Sequence, residues 1–188
     1  PADTARRLAL IAPAFSTPNI TKIGQNIKFD IMVLRNCGIQ VEGPLFDTMV
    51  AHYLLQPEQK HNMDYLSEIY LQYTPVHIEQ LIGAKGSQQK SMSQVDELSI
   101  TEYAAEDADV TWQLYGKLRA ELESLSMLNM AMDIEMPLIY VLADMELTGV
   151  RINSQFLTQY SKELNAQLAD IEQRIYACAG KQFNIASP

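Results

Sequence analysis

Cysteine, histidine and basic side chains are all scarce in this chain, and each scarcity counts against a class of function. The two cysteines, Cys37 and Cys178, lie far apart and form no CxxC pair, which argues against a disulfide framework or a zinc site and suits a reducing compartment. His52, His61 and His77 show no metal-ligand spacing and read as ordinary surface or loop residues. Lys and Arg number 14 against 23 Asp and Glu, a net charge of −9, so broad electrostatic capture of a polyphosphate is disfavoured. A local site can still differ in sign from the whole, and an acidic site that recruits divalent metal adds negative charge of its own. No apolar run approaches the roughly 20 residues of a membrane span, and the opening residues lack the layout of a secretion signal. A soluble, cytoplasmic protein without a membrane partner is expected. With 47% hydrophobic residues, 8 Gly and 8 Pro, the chain has apolar material for a core and no internal repeat.

Helix and strand signals alternate through the first two thirds. "TARRLALIAPAF" predicts a short amphipathic helix closed by "STPN". "ITKIGQN" predicts a strand, and "NIKFDIMVLRNCG" a helix with Asn26 at its N-cap and Gly38 just past its end. "IQVEGPLF" reads as strand and turn, "FDTMVAHYLLQP" as a helix stopped before Pro57, and "NMDYLSEIYLQY" as a helix capped by Asn62. A short helix, "HIEQLIG", precedes a Lys/Gly/Ser/Gln-rich loop, and a long helix follows from about Val95 to Leu125. After residue 127 the texture changes to two long helices around "TGVRIN", the second starting at an Asn153 cap, which predicts a helical hairpin. The order implies a helix-rich α/β layer, although two clear strands are too few for a complete sheet.

Four carboxylates crowd "TEYAAEDADV". At ~100° per residue, Asp107 falls in the arc of Val110, Leu114, Leu118 and Leu122, whereas Glu102, Glu106 and Asp109 gather on the opposite, solvated side. On the helix from residue 27, Asp30 likewise shares the arc of Ile27, Ile31, Val33, Leu34 and Cys37. A carboxylate turned toward apolar neighbours needs a cation, a metal ion or hydrogen-bond donors. A structural pairing with Lys, Arg or backbone amides meets that need, and so does convergence of the two acids on divalent metal. Two such ions roughly 3.5–4 Å apart activate a water and stabilise the leaving oxygen of a phosphodiester. Tyr103, one turn before Asp107 on the same face, can direct its phenol at that water. Asp47 sits where a helix begins, and capping is the preferred reading for it.

"KIGQNIKFD" and "YAAEDADVT" resemble the second and third exonuclease motifs of the family A DNA polymerases. "FDTM", "MDYL", "IEMPL…VL…E…GV.I" and "FN..SP" are similar to other parts of the same proteins, in order and across nearly the whole chain. The resemblance implies a partial ribonuclease-H-like 3′→5′ exonuclease fold over residues 1–126, followed over 127–188 by the start of a polymerase domain. It also implies Mg²⁺ or Mn²⁺ as cofactor and the single-stranded 3′ end of DNA as partner. Residue by residue, it makes Asp107 a direct metal ligand, Asp30 the acid that reaches a second metal, and Tyr103 the water-orienting phenol. Gln25, Asn26, Lys28 and Phe29 match positions beside the primer terminus, with Phe29 standing where the family often has Tyr.

The family's first motif, Asp-x-Glu, does not occur in residues 1–25. The chain is therefore expected to be a piece of a longer polymerase, inactive by itself, with a sheet edge and an apolar face uncovered and the remainder of the polymerase as its partner. Three rivals stand beside this: a non-catalytic DNA-binding module of the same fold, an RNA-trimming 3′→5′ exonuclease, and a purely helical scaffold.

Overall fold

Asp47 ends one strand and starts one helix, and its carboxylate organises the surroundings of both. A computed structural model describes residues 2–87 and 89–186. By contacts the chain divides into two units, residues 1–148 and 149–188.

In the first unit, α1 (Ala2–Ser16) leads to β1 (Lys22–Gly24), α2 (Ile27–Asn36), β2 (Leu45–Asp47) and α3 (Thr48–Leu55). The strands pair in parallel, Ile23 opposite Phe46 and Gly24 opposite Asp47, with the α2 crossover that a parallel pair requires. Gly24 is obligatory at the β1 to α2 turn, because a Cβ there would lie 2.9 Å from Cβ of Ile27. The buried Lys22 ammonium donates to the carbonyls of Thr17, Ile20 and Glu42 at 2.5, 2.9 and 2.5 Å. It thereby ties the end of α1 to the loop before β2.

Asn26 stands at the N-cap of α2 as expected, but in the left-handed region at φ 58 and without a side-chain cap bond. The cap comes from a distant residue: Asp47 accepts from the amides of Asn26 at 3.1 Å and Ile27 at 2.8 Å. The same carboxylate accepts from Met49 at 2.8 Å and Val50 at 3.4 Å, capping α3. The capping role of Asp47 holds, and it serves two helices at once. Asn62 likewise occupies an N-cap position without a side-chain bond.

After α3, α4 (Met63–Leu66) widens into a π turn over Ser67–Leu71, and α5 (Ile78–Ile82) precedes α6 (Glu97–Ser124). Asp96 starts α6 by accepting from the Ser99 amide at 2.9 Å. Val110, Leu114, Leu118 and Leu122 are buried along α6 as their spacing predicts. They join Ile27, Ile31, Phe46, Ala51 and Leu66 in one core, and Phe46 meets Tyr115 edge-on at 4.8 Å. A short α7 (Leu128–Met130) and a second π turn lead into α8 (Met136–Thr148). Ion pairs Lys28–Glu146 and Arg35–Asp144 tie α8 to α2. The Tyr140 hydroxyl donates to the Gly43 carbonyl at 2.9 Å. The first unit runs on to Thr148.

The second unit is dominated by α9 (Ser154–Ala179). Asn153 caps it by accepting from the Phe156 amide at 3.0 Å, and Gly180 ends it at φ 68. Both helices expected around "TGVRIN" are therefore formed.

Two sequence expectations need correction. His52 is not a surface residue: it is fully buried on α3, on the same face as Thr48 one turn earlier. Glu106 is not solvated decoration either. It is half-buried and accepts from the Tyr73 hydroxyl at 2.5 Å and the Val76 amide at 2.9 Å, docking that segment on α6.

Since the Asp47 carboxylate satisfies four amides at two helix starts, Asp47→Ala is expected to destabilise the chain by roughly 2–4 kcal/mol. Asp47→Asn, which can no longer accept at both oxygens, should cost about half as much. Urea unfolding followed by circular dichroism measures both.

Candidate active site

Asp30 and Asp107 line a single cleft of about 430 Å³, together with Ile23, Gly24, Gln25, Ala108, Thr111 and Trp112. The two acids reach it from different elements. Asp107 sits on α6 one turn before Val110, where the apolar stripe leaves the core, and is half-buried. Asp30 occupies the first turn of α2.

The expectation that Asp30 lies inside an apolar stripe needs correction. Only Ile27 and Ile31 of that stripe are buried, while Val33 is 44% exposed and Asp30 and Cys37 are exposed as well. Nothing among the described residues covers this flank of α2. Behind Asp30 a second, apolar groove beside β1 is lined by Phe15, Ile20, Ile23, Ile27, Val33 and Leu34. Trp112, 62% exposed, lines the cleft from α6.

Both cleft carboxyls titrate above the ordinary range. For Asp30 the first cause is loss of hydration and the second is the negative charge of Asp47. For Asp107 loss of hydration again leads; the Tyr103 hydrogen bond partly offsets it, while Glu106 and Asp64 add to the rise. Asp47 is also raised by burial, against the pull of its four amide bonds. Burial, and second the nearby Asp107 carboxylate, push the Tyr103 phenol up to about 12. Near neutral pH the phenol is therefore protonated, with one O–H donor and an acceptor oxygen; it lines a neighbouring cleft with Glu102 and Glu106 rather than the one that holds Asp30 and Asp107.

The other expected site residues are distributed differently. Gln25 reaches the cleft, its Nε2 donating to the His61 carbonyl at 2.6 Å and its Oε1 accepting from the Thr48 hydroxyl. Asn26 is exposed at the start of α2, with its amide committed to Asp47. Lys28 is engaged by Glu146. Phe29 is 63% exposed on the outer side of α2. Sequence reading passed over Asp64, which holds His77 at 2.8 Å and whose charge reaches both Tyr103 and Asp107. It also passed over Thr48, whose spacing of four from His52 was the available signal.

A divalent cation can be weighed against this donor set. Two carboxylates with raised proton affinity in one cleft are hard oxygen donors whose charge a hard cation would relieve. No group of three or more His, Cys, Asp or Glu side chains among the described residues could hold a metal ion. The residues therefore fit a cation that takes its remaining ligands from water, substrate or further carboxylates, and do not form a closed cage.

Residues 1–123 match the family model described as 3′-5′ exonuclease, and the chain belongs to that family, the exonuclease domain of the family A DNA polymerases. It is similar to DNA polymerase I of Pseudomonas aeruginosa, 37% identical over 185 residues that make up 96% of this chain and 20% of that protein. DNA polymerase I of Chloroflexus aurantiacus is 39% identical over 178 residues, 94% of this chain and 19% of that one. The chain thus spans about a fifth of the length of these relatives. Among solved structures, the POL domain of Pol1 from M. smegmatis in complex with DNA primer-template and dNTP superposes with a TM-score of 0.77 at 24% identity. That likeness covers 96% of this chain and 28% of the other. Brucella melitensis NrnC with bound Mg²⁺ gives 0.61 at 20% identity, over 77% of this chain and 68% of its own. At such identities the likeness defines the fold alone: a helix-rich α/β, partial ribonuclease-H-like exonuclease fold, as expected. No helix among the described residues is long and apolar enough to cross a membrane.

The linkage has a definite sign. A carboxyl whose proton affinity is higher folded than unfolded contributes stability below the ordinary Asp range, and that contribution is lost as pH rises through its folded pKa. Asp30→Asn and Asp107→Asn should therefore raise the thermal midpoint relative to the unsubstituted chain at pH 7 and lose that advantage near pH 4. Millimolar Mg²⁺ or Mn²⁺ at pH 7 should narrow the gap by stabilising the unsubstituted chain alone. Calorimetry at the two pH values, with and without the cation, tests all three expectations.

Proposed function

We propose that this chain is part of a longer bacterial DNA polymerase whose exonuclease site removes the 3′-terminal nucleotide of single-stranded DNA. In this reading residues 1–126 are the later part of the proofreading domain and 127–188 begin the polymerase domain, in a cytoplasmic enzyme. The observation that carries it is the convergence of Asp30, Asp107 and Gln25 on one cleft.

Asp107 would hold one divalent ion directly, and Asp30 would reach a second. When bound, Mg²⁺ or Mn²⁺ lowers the pKa of water and balances charge on the leaving oxygen. Protonated Tyr103, one turn before Asp107 on α6, would offer its O–H to that carboxylate and its oxygen to the attacking water. Gln25 offers an amide donor to the terminal nucleotide, while Asn26 and Phe29 stand at the start of α2 with exposed surface for the strand. Lys28 must exchange Glu146 for a phosphate to contribute. With no group of three or more ligating side chains among the described residues, the chain alone is expected to be inactive. The Asp-x-Glu acids of the family would complete the set.

The test is Mg²⁺-dependent hydrolysis of a 3′-labelled single-stranded DNA by the longer polymerase that carries these residues. Asp107→Ala should abolish nucleotide release, and Tyr103→Phe, which removes the phenol's hydroxyl, should lower it by about 10–100-fold. An unsubstituted polymerase that binds the strand without cutting it would instead make this a non-catalytic DNA-binding module. Faster trimming of RNA than DNA would make it an RNA exonuclease.

A further inference from the structure

His52 and His61 lie outside the cleft, yet their contacts lead into it. Their Nδ1 atoms are 2.7 Å apart, and the rings meet at 5.0 Å and 63°. At that separation one nitrogen donates and the other accepts. The Nε2 atom of His52 is buried and meets no hydrogen-bonding group of the protein among the described residues. A proton placed there would be a buried donor without an acceptor, so the favoured tautomer carries it on Nδ1, directed at His61. Tyr65 and Tyr70 pack on His52 at 6.4 and 5.7 Å, and Tyr53 packs on His61 at 5.4 Å. The Tyr70 hydroxyl passes its own hydrogen bond to Glu121 at 3.1 Å.

The consequence falls on Gln25. His61 is joined to His52 through its ring and to Gln25 through its carbonyl, which accepts from Nε2 at 2.6 Å. The other end of the Gln25 amide accepts from Thr48, one turn before His52 on the same face of α3. A single helix therefore anchors both ends of this amide, the oxygen through Thr48 and the nitrogen through the histidine pair. A flipped amide would set its oxygen against the His61 carbonyl and lose that bond, so the His61 side fixes its orientation; Thr48, whose hydroxyl also reaches the Gly24 carbonyl at 3.1 Å, can accept as well as donate. Each of its ends has one partner, and one Nε2 hydrogen is left over on a residue that lines the cleft with Asp30 and Asp107.

We infer that the His52–His61 pair is a positioning device that locks the Gln25 amide so that its spare N–H serves an acceptor oxygen, a phosphate or 3′-hydroxyl, entering the cleft. The locking rests on the geometry alone; the identity of the acceptor rests on the exonuclease reading above. A neutral donor suits a cleft that already holds two carboxylates, because it recognises an oxygen without neutralising an acid. His52 is kept neutral by burial and by the neighbouring His61, with Glu121 pulling the other way. Double protonation of the pair would set two N–H groups against each other and release His61.

The experiment uses the full chain and two readouts. In ¹H–¹⁵N spectra, the Gln25 side-chain amide signals, assigned by their loss in Gln25→Ala, should be well dispersed and should shift with the histidine titration. In His61→Ala, which keeps the backbone carbonyl, they should collapse toward the values of a mobile glutamine. Signals indifferent to both pH and His61→Ala would overturn the inference whether or not DNA binds. The second readout is the affinity for a fluorescent octathymidylate in Ca²⁺. Gln25→Ala and His61→Ala should each weaken binding about five- to tenfold, the value of one hydrogen bond, and the double variant no further. Additive losses would also overturn it. If no oligonucleotide binds while the amide signals still answer to His61, the positioning stands and the exonuclease reading falls.

Discussion

One carboxylate closes two helices. Asp47 ends β2 beside Gly24 of β1, and its two oxygens take up amides from the first turns of both α2 and α3. Each helix start presents unpaired N–H groups and the positive end of a dipole, so a buried negative charge between two of them is stabilised on both sides. Because Asp47 holds α2 by its first residues, it also sets where Asp30, less than a turn further on, meets the cleft. The left-handed Asn26 and the side-chain-free Gly24 are the backbone conditions for that attachment.

The charge of the site follows from the same arrangement. Asp47 raises the proton affinity of Asp30, while Glu106 and Asp64 raise that of Asp107. The cleft thus gathers negative charge that neither neighbouring cation relieves, since Lys28 and Arg35 are turned to Glu146 and Asp144 on α8. In a chain of net charge −9, such a cleft favours a hard cation first and a phosphate only through it. The neutral Gln25 amide lines the cleft without adding charge of either sign.

The legible parts were those governed by local periodicity or local capping. Helical spacing predicted the buried row Val110, Leu114, Leu118, Leu122 and the place of Asp107 at its end. The same reasoning overstated the burial of Asp30, because a stripe is only as buried as the element that covers it, and Val33 and Cys37 are uncovered. Asn26 and Asn62 had the right residue type at the right position, yet a donor-satisfying side chain from elsewhere, or none, met the helix start. Glu106 had the angular position of a solvated acid and became an acceptor for Tyr73 and Val76, segments 30 or more residues away.

By itself the sequence determined the order of helices and strands, the core face of α6, the cap at Asp47 and the place of Asp107 at the end of that face. These follow from periods of 3.6 and 2 and from the chemistry of neighbouring residues. Only the tertiary structure decided that Asp30 and Asp107 share a cleft, that Asp47 serves two helices, and that His52 is buried against His61 within reach of Gln25. Those relations depend on the angle at which α2, α3 and α6 pack across a two-stranded parallel sheet. Spacing along a chain carries no information about that angle.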